Sequence, residues 1–294
     1  MSTTLLGFIG LGNVGEPMAA NLLAKDFDVL GYDIRANANF VARGGRAVAQ
    51  VAHVAAAPVI IQSLPTVAAL EATIEALLPV LRPRQVIIEI SSYPLAAKRA
   101  AAERVAERGA ILLDCEISGL PPQVAERKAV IFKSGDARAV DELHGVFEAM
   151  AEQHFYLGEF GAATKMKLIA NTMVCVHNLM AAEALTLGAR AGLDPRRMVE
   201  VLVPSAAGSA TFANKAPLML ARSFRPGRGP FRHMFGYLAR AREMARECGA
   251  STPLLHAASE VYRRAESEGR HEEDIAAVLE IVEAYDSERR RGDD

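Results

Sequence analysis

Leu5-Leu6-Gly7-Phe8-Ile9-Gly10-Leu11-Gly12-Asn13-Val14-Gly15 joins an apolar run to a tight glycine turn, and Glu16-Pro17-Met18-Ala19-Ala20-Asn21-Leu22-Leu23 continues with a helical pattern. The turn has the spacing G-x-G-x-x-G. Gly10, Gly12 and Gly15 hold the three fixed places, with Leu11, Asn13 and Val14 between them. Glycine permits both the sharp turn and a close backbone approach to a pyrophosphate. The helix behind the turn offers free N–H groups and the positive end of its dipole to phosphate. Glycine spacing alone is common in turns. A strand before it, a helix after it and an acidic residue about 20 positions on make it specific.

That acid is Asp33, at the end of a second strand-like run, Phe27-Asp28-Val29-Leu30-Gly31-Tyr32-Asp33. An aspartate here accepts hydrogen bonds from the ribose hydroxyls of NAD and repels a 2′-phosphate, so it favours NAD over NADP. Arg35, separated from it by Ile34, is the opposing signal, because an arginine pairs with a 2′-phosphate. The plain alternatives are that Asp33 caps a strand end and Arg35 is a solvated loop charge. The expected dinucleotide site is Gly10 to Gly15 with Asp33, Ile34 and Arg35, and the cofactor is NAD or NADP.

Outward from this unit, strand and helix patterns alternate to about residue 157. Apolar runs lie at Pro58-Val59-Ile60-Ile61, Val86-Ile87-Ile88, Ala110-Ile111-Leu112-Leu113 and Ala129-Val130-Ile131-Phe132. Helical stretches such as Thr66 to Leu81 and Pro94 to Arg108 separate them. Continuous rather than alternating apolar strands belong to a sheet covered on both faces. The alternation predicts an α/β fold, a doubly wound and mostly parallel sheet of the Rossmann type. Ligands of such sheets bind beyond the carboxyl ends of the strands. The loops Ser63-Leu64-Pro65-Thr66 and Ser91-Ser92-Tyr93-Pro94 lie there. After residue 160 the strand patterns stop. Gly161 to Ala191 has no proline and one internal glycine, Gly188, and reads as one helix about 45 Å long. Further helices are expected near 195–203, 235–248, 252–268 and 272–286, with a loop at Arg225 to Pro230. The expected division is residues 1–160, binding the dinucleotide, and 161–294, all-helical.

A length of 294 residues suits two domains of about 100–200 residues each. A formal net charge of −2 gives no electrostatic case for nucleic acid or an anionic membrane. No run of about 18 uncharged apolar residues appears, so no membrane-spanning helix is expected. The first strand begins within a few residues of Met1, which leaves no room for a signal peptide. Cys115, Cys175 and Cys248 are odd in number and far apart. They read as reduced thiols filling small apolar spaces in a cytoplasmic protein, with no metal spacing. Glu288 to Asp294 reads as a charged, frayed tail.

The long helix carries Lys165, Lys167, Asn171, His177 and Asn178. Lys167 and Asn171 are one turn apart and about 40° apart in azimuth, and Asn178 returns to within about 20° of that line. Lys165 lies about 120° from Asn171, and His177 is about 80° off the stripe, where a packing role suits it better. His233, beside the Pro-Gly loop, is a weaker candidate. Burial beside a cationic nicotinamide disfavours an ammonium. That equips Lys167 to accept an alcohol's proton as hydride leaves, and to return it in reverse. The same spacing also describes an ordinary solvated helix face.

Gly7-Phe8-Ile9-Gly10-Leu11-Gly12 with Gly15, Met18-Ala19 and Asn21-Leu22 resembles the opening of the β-hydroxyacid dehydrogenase family, the group of 3-hydroxyisobutyrate dehydrogenase and tartronate semialdehyde reductase. The resemblance extends over nearly the whole chain. Leu64-Pro65 resembles the family's nicotinamide-side loop, Ser91-Ser92 its S-T loop, and Asp114 to Gly119 its D-x-x-x-S-G loop. Gly158, Gly161, Lys167 and Asn171 match its catalytic signature, with Ala163 in place of a third glycine. The resemblance implies hydride transfer between NAD(P) and a β-hydroxyacid or its semialdehyde or ketoacid. It makes Lys167 the general acid/base, Asn171 the orienting amide, and Ser118 with Gly119 the holders of a substrate carboxylate. Leu64, Pro65 and Ser92 would serve the cofactor. Three departures stand out: Leu120-Pro121-Pro122 where a second glycine is usual, Arg127-Lys128-Ala129 for G-T-L, and Gly236-Tyr237-Leu238 for K-D-L. Leu120 and Tyr237 would shape a more apolar substrate pocket, and Arg127 or Lys128 is a candidate for the lost positive charge. Imine reduction, or cofactor binding without turnover, are the alternatives the fold leaves open. A small-molecule substrate is the expected partner. The apolar helical half predicts a homodimer or homotetramer, as in the family.

Overall fold

The structure is a computed structural model that describes residues 4–227 and 229–292, with side chains described as far as Tyr285. Arg228 of the expected Arg225–Pro230 loop and Asp293–Asp294 of the expected tail lie outside the described residues. The chain divides into two compact units, Met1–Lys167 and Leu168–Asp294. The division falls inside the long helix rather than just before it.

The first unit is built on an eight-stranded sheet. Its strands are β1 (Leu5–Ile9), β2 (Asp28–Tyr32), β3 (Arg46–Ala47), β4 (Val59–Gln62), β5 (Val86–Glu89), β6 (Ile111–Ser118), β7 (Val130–Ser134) and β8 (Gln153–Tyr156). The order is β3-β2-β1-β4-β5-β6-β7-β8. All neighbours are parallel except β6 and β7. The order reverses between β1 and β4, which creates the crevice where dinucleotides bind in such sheets. Helices α1 (Gly15–Leu23), α2 (Ala38–Ala42), α3 (Val67–Leu77), α4 (Leu95–Ala106), α5 (Pro121–Ala125), α6 (Ala137–Glu142) and α7 (His144–Met150) complete the unit. Leu6, Phe8, Ile61 and Ile88 pack with Met18 and Leu22 of α1 and Phe147 of α7. Ile9, Ile60, Ile87 and Leu112 pack with Ile74 of α3 and Val105 of α4. Both faces of the sheet are therefore covered, as uninterrupted apolar strands require. Asn21 ties α1 to the end of α5, its Nδ2 donating to the Val124 carbonyl at 2.8 Å.

α8 (Ala162–Arg190) begins in the first unit and continues into the second. The second unit adds α9 (Pro195–Leu202), α10 (Ala210–Ala221), α11 (Phe231–Glu247), α12 (Pro253–Ser267) and α13 (Val278–Gly292). Its core joins Leu168, Cys175, Leu179, Ala182 and Leu185 of α8 to Phe212, Met219, Phe231, Leu238, Leu255, Tyr262 and Ile281. Each large apolar side chain buried there contributes roughly 1.5–3 kcal/mol relative to exposure. α8 is long and apolar enough to cross a membrane by length and composition, yet one of its faces is this core.

Besides the boundary between the units, three differences from the sequence reading stand out in the fold. No helix is expected between 203 and 235, but α10 forms there with Pro217 inside it, its first turn capped by Ser209 Oγ accepting from Phe212 N–H at 3.0 Å. The segment read as a frayed tail is helical as far as Gly292. Cys248, read as a core filler, is exposed after the last turn of α11, whereas Cys115 and Cys175 are buried thiols.

Candidate active site

The glycine turn leaves β1 and enters α1 at the crevice. Gly10 has φ +88°, and a Cβ there would lie 2.1 Å from the Ser63 carbonyl oxygen. A Cβ at Gly15 would lie 1.9 Å from the Gly10 carbonyl oxygen. Both positions are closed to side chains by the fold itself. Gly12 is different: a Cβ there meets nothing within 4 Å, and Gly12 and Asn13 are exposed. No contact within the protein explains that glycine, whereas a pyrophosphate lying against the backbone does. Asp33, at the end of β2, accepts from Leu11 N–H at 2.7 Å and Arg35 N–H at 2.9 Å. Each carboxylate oxygen keeps a lone pair for a ribose hydroxyl. Ile34 is 87% exposed, and Arg35 is exposed beside it. These residues fit a nicotinamide dinucleotide.

The loops after β4 and β5 are bound to each other. Ser91 Oγ accepts from Leu64 N–H at 2.8 Å, and Tyr93 OH donates to the Leu64 carbonyl at 2.7 Å. Both backbone groups of Leu64 are thus held, which fixes the Leu64-Pro65 corner. Tyr93 is a site-shaping residue that the sequence reading left unassigned.

Beneath these loops lies a cluster of buried charge, also unassigned from sequence. Gln62 and Glu89, at the carboxyl ends of β4 and β5, and Asp114, midway along β6, are register neighbours. Lys98, on the buried side of α4, donates to Asp114 Oδ1 at 2.8 Å, the Cys115 carbonyl at 3.0 Å and Glu116 Oε1 at 3.1 Å. Burial alone would lower the pKa of Lys98. Glu116, Asp114 and Glu89 outweigh it and hold the ammonium above the usual lysine range. Burial would raise Asp114, but Lys98 and Thr164 keep its carboxyl below the usual range. Glu89 Oε1 accepts from Ser91 N–H at 2.6 Å, Glu89 Oε2 has no hydrogen-bond partner among the described residues, and burial pushes the pKa to about 7.

Asp114 also pins the start of α8. Its Oδ2 accepts from Thr164 N–H at 3.0 Å, and its Oδ1 accepts from Thr164 Oγ1 at 2.7 Å. Ser134 Oγ accepts from Ala163 N–H at 3.1 Å. These contacts satisfy N–H groups that a helix start leaves without intrahelical partners. Lys167 follows one turn later. Burial lowers its pKa, and Glu116 opposes the shift. Asn171, one further turn along, is 5% exposed and its Nδ2 has no hydrogen-bond partner among the described residues. Lys165 is exposed.

Asn178 departs from the stripe read in sequence. Its Nδ2 donates to Tyr262 OH at 3.0 Å and the Ile275 carbonyl at 2.7 Å, inside the core of the second unit. It braces helices and has no amide N–H to spare for a ligand. Ser118 is half-buried at the end of β6, and Gly119 is exposed. Leu120, 37% exposed, precedes α5, and Gln123 Oε1 accepts from its N–H at 2.8 Å. The cations after α5 are committed locally: Arg127 donates to the Glu148 carbonyl at 2.6 Å, and Lys128 pairs with Glu126 at 2.7 Å. In the second unit, Gly236 is exposed and Tyr237 is half-buried with the Arg240 guanidinium 4.9 Å from its ring centroid.

Comparison with known proteins places this geometry. Residues 5–158 match the family described as the NAD-binding domain of 6-phosphogluconate dehydrogenase. Residues 161–282 match the one described as NAD-binding of NADP-dependent 3-hydroxyisobutyrate dehydrogenase. The chain is therefore a nicotinamide-dependent oxidoreductase acting on CH–OH groups. It belongs to the β-hydroxyacid dehydrogenase family. It is 30% identical to the NAD-dependent L-serine dehydrogenase of Pseudomonas aeruginosa, over 95% of this chain and 97% of that one. The Mycobacterium tuberculosis 3-hydroxyisobutyrate dehydrogenase with L-serine superimposes with a TM-score of 0.84 at 25% identity, covering 95% of this chain and 98% of that one. An imine reductase from Pseudomonas sp. is more distant, with a TM-score of 0.62 at 18% identity over 95% of this chain and 99% of that one. That likeness concerns the fold alone.

Proposed function

We propose that this protein oxidises a short β-hydroxyacid, or reduces the matching semialdehyde or ketoacid, with Lys167 as general acid/base. The observation that carries this reading is the pairing, within the first unit, of an open glycine cradle with a lysine whose ammonium is disfavoured by burial. Gly10 to Gly15 would hold the pyrophosphate, Asp33 the ribose, and the corner of Leu64 and Pro65 with Ser92 the nicotinamide side. Bound nicotinamide supplies the hydride acceptor, or the donor in reverse. Lys167 in its neutral form takes the hydroxyl proton, and Asn171 Nδ2 orients the hydroxyl oxygen. Ser118 and Gly119 hold the substrate carboxylate, with Leu120 giving the substrate side an apolar character. Ser92 has committed its hydroxyl proton to Glu116, so toward a ligand it acts only as an acceptor.

Asp33 makes NAD the preferred cofactor in this reading, through a charge–charge conflict with a 2′-phosphate. The second part of the proposal concerns assembly. Ile169, Met173, Met180 and Leu187 are 47%, 53%, 55% and 70% exposed on α8. Met173, Met180 and Leu187 recur every seven residues, the spacing of a helix-pairing seam. A second copy of the chain is the proposed cover.

The test is turnover of a C3 to C6 hydroxyacid panel that includes L-serine and 3-hydroxyisobutyrate, with NAD and NADP in parallel, followed by absorbance of the reduced nicotinamide. At least one β-hydroxyacid is expected to turn over, with higher kcat/KM on NAD. Cofactor binding without turnover across the panel, or turnover of cyclic imines alone, would reject the reading.

A further inference from the structure

Glu116 is 1% exposed at the carboxyl end of β6, where a carboxylate needs partners to offset its lost hydration. Its Oε1 accepts from Lys98 Nζ at 3.1 Å and its Oε2 from Ser92 Oγ. Asp114, two residues earlier, points to the same face of the strand and meets Thr164 of α8 at 2.7 Å. Lys167 follows Thr164 by three positions, so it lies on the same side of α8, about 4.5 Å further along its axis. Asp114 engages Thr164, so Glu116, two residues beyond Asp114, and Lys167, three residues beyond Thr164, start from one contact, and the Glu116 carboxylate favours the ammonium of Lys167. Lys98 pairs with both Asp114 and Glu116, and Lys167 is the further cation acting on Glu116.

We propose that Glu116 is a positioning residue for Lys167: its carboxylate sets the proton affinity of the Lys167 amine and compensates the charge that amine gains in the reaction. This rests on the reading of Lys167 as proton acceptor. In that step the substrate O–H bond breaks and an N–H bond forms on Lys167 Nζ, while the hydride leaves the carbinol carbon with its electron pair for the nicotinamide. The amine passes from neutral to cationic beside a carboxylate, so the pair ends neutral. The other ionisable groups around Glu116 are Lys98 from α4, Asp114 and Cys115 from β6, and Glu89 and Tyr93 from β5 and its loop. Lys98 stays cationic, the Cys115 thiol and the Tyr93 phenol are pushed up by burial and stay neutral, and Asp114 stays anionic; burial also raises Glu89 and Glu116, and at Glu116 the charges of Lys98 and Lys167 and the Ser92 hydroxyl oppose that rise. Burial lowers Lys167 and Glu116 pulls it back up. Removing the carboxylate therefore lowers it further.

The experiment compares wild type with Glu116→Gln and Glu116→Asp by two pH titrations. One is kcat/KM for hydroxyacid oxidation. The other is the rate at which an amine acylating reagent labels Lys167 in the free enzyme, followed by peptide mass spectrometry. In E116Q both midpoints are expected to move down by about one pH unit or more. E116D keeps the charge but retracts it by one methylene, so its midpoints should fall between the two. Labelling needs no turnover and decides the proposal even if no hydroxyacid proves to be a substrate. Unchanged or raised labelling midpoints in a folded E116Q would overturn it, whatever the activity. If E116Q does not fold, E116D decides alone: a midpoint below wild type supports the role, and one equal or higher overturns it.

Discussion

Single residues divide the glycine turn into positions closed by the protein's own backbone and one that is open. Gly15 is closed by the Gly10 carbonyl oxygen, 1.9 Å from where its Cβ would be, while Gly12 has open space. Gly15→Ala is therefore expected to lower the melting temperature. Gly12→Ala should leave melting unchanged and weaken dinucleotide binding by about tenfold or more. Calorimetry of both variants checks the pair, and equal effects on stability would contradict the assignment. The turn and Asp33 were legible because their spacing is local. Lys98, Asp114 and Glu116 were harder to read, since what makes them notable is mutual burial of charges from a helix and a strand. A faint signal existed. Lys98 shares its helix face with Ala101 and Val105, both buried, and Asp114 and Glu116 interrupt an apolar strand on one face. Asn178 shows the converse error, since azimuth placed it on the catalytic stripe although its partners are Tyr262 and Ile275.

At the scale of elements, the ends of β4 and β5 and the middle of β6 carry a buried polar row, and its Asp114 fixes the start of α8. Glu89 is its most pH-sensitive member. Its folded pKa is about 7 against an ordinary 4.5, so the native state holds this proton more tightly than the unfolded chain. Its contribution is greatest below about pH 4.5 and is lost as pH rises through about 7. Relative to wild type, Glu89→Gln should gain stability between pH 5 and pH 8, on the order of 2 to 3 kcal/mol. Urea midpoints at the two pH values measure this, and a pH-independent difference would contradict it. The long helix is legible from its lack of proline, whereas α10, which no sequence expectation covers, holds Pro217 with Ser209 capping its start and Phe212 and Met219 packed in the core.

For the whole molecule, the exposed Ile169, Met173, Met180 and Leu187 of α8 predict an assembly of at least two chains. Light scattering should give at least twice the 31.5 kDa chain mass, and Met173→Glu with Met180→Glu should shift the mass toward one chain. A wild-type monomer at micromolar concentration would contradict the seam. The central claim, however, is chemical: the dinucleotide cradle and the half-buried Lys167 are proposed to carry hydroxyacid dehydrogenation together. Its most direct test is Lys167→Ala, with turnover on the best hydroxyacid and the cofactor dissociation constant measured on the same preparation. Turnover should fall by about 10²- to 10⁴-fold with cofactor affinity nearly unchanged; turnover within tenfold of wild type would contradict the account.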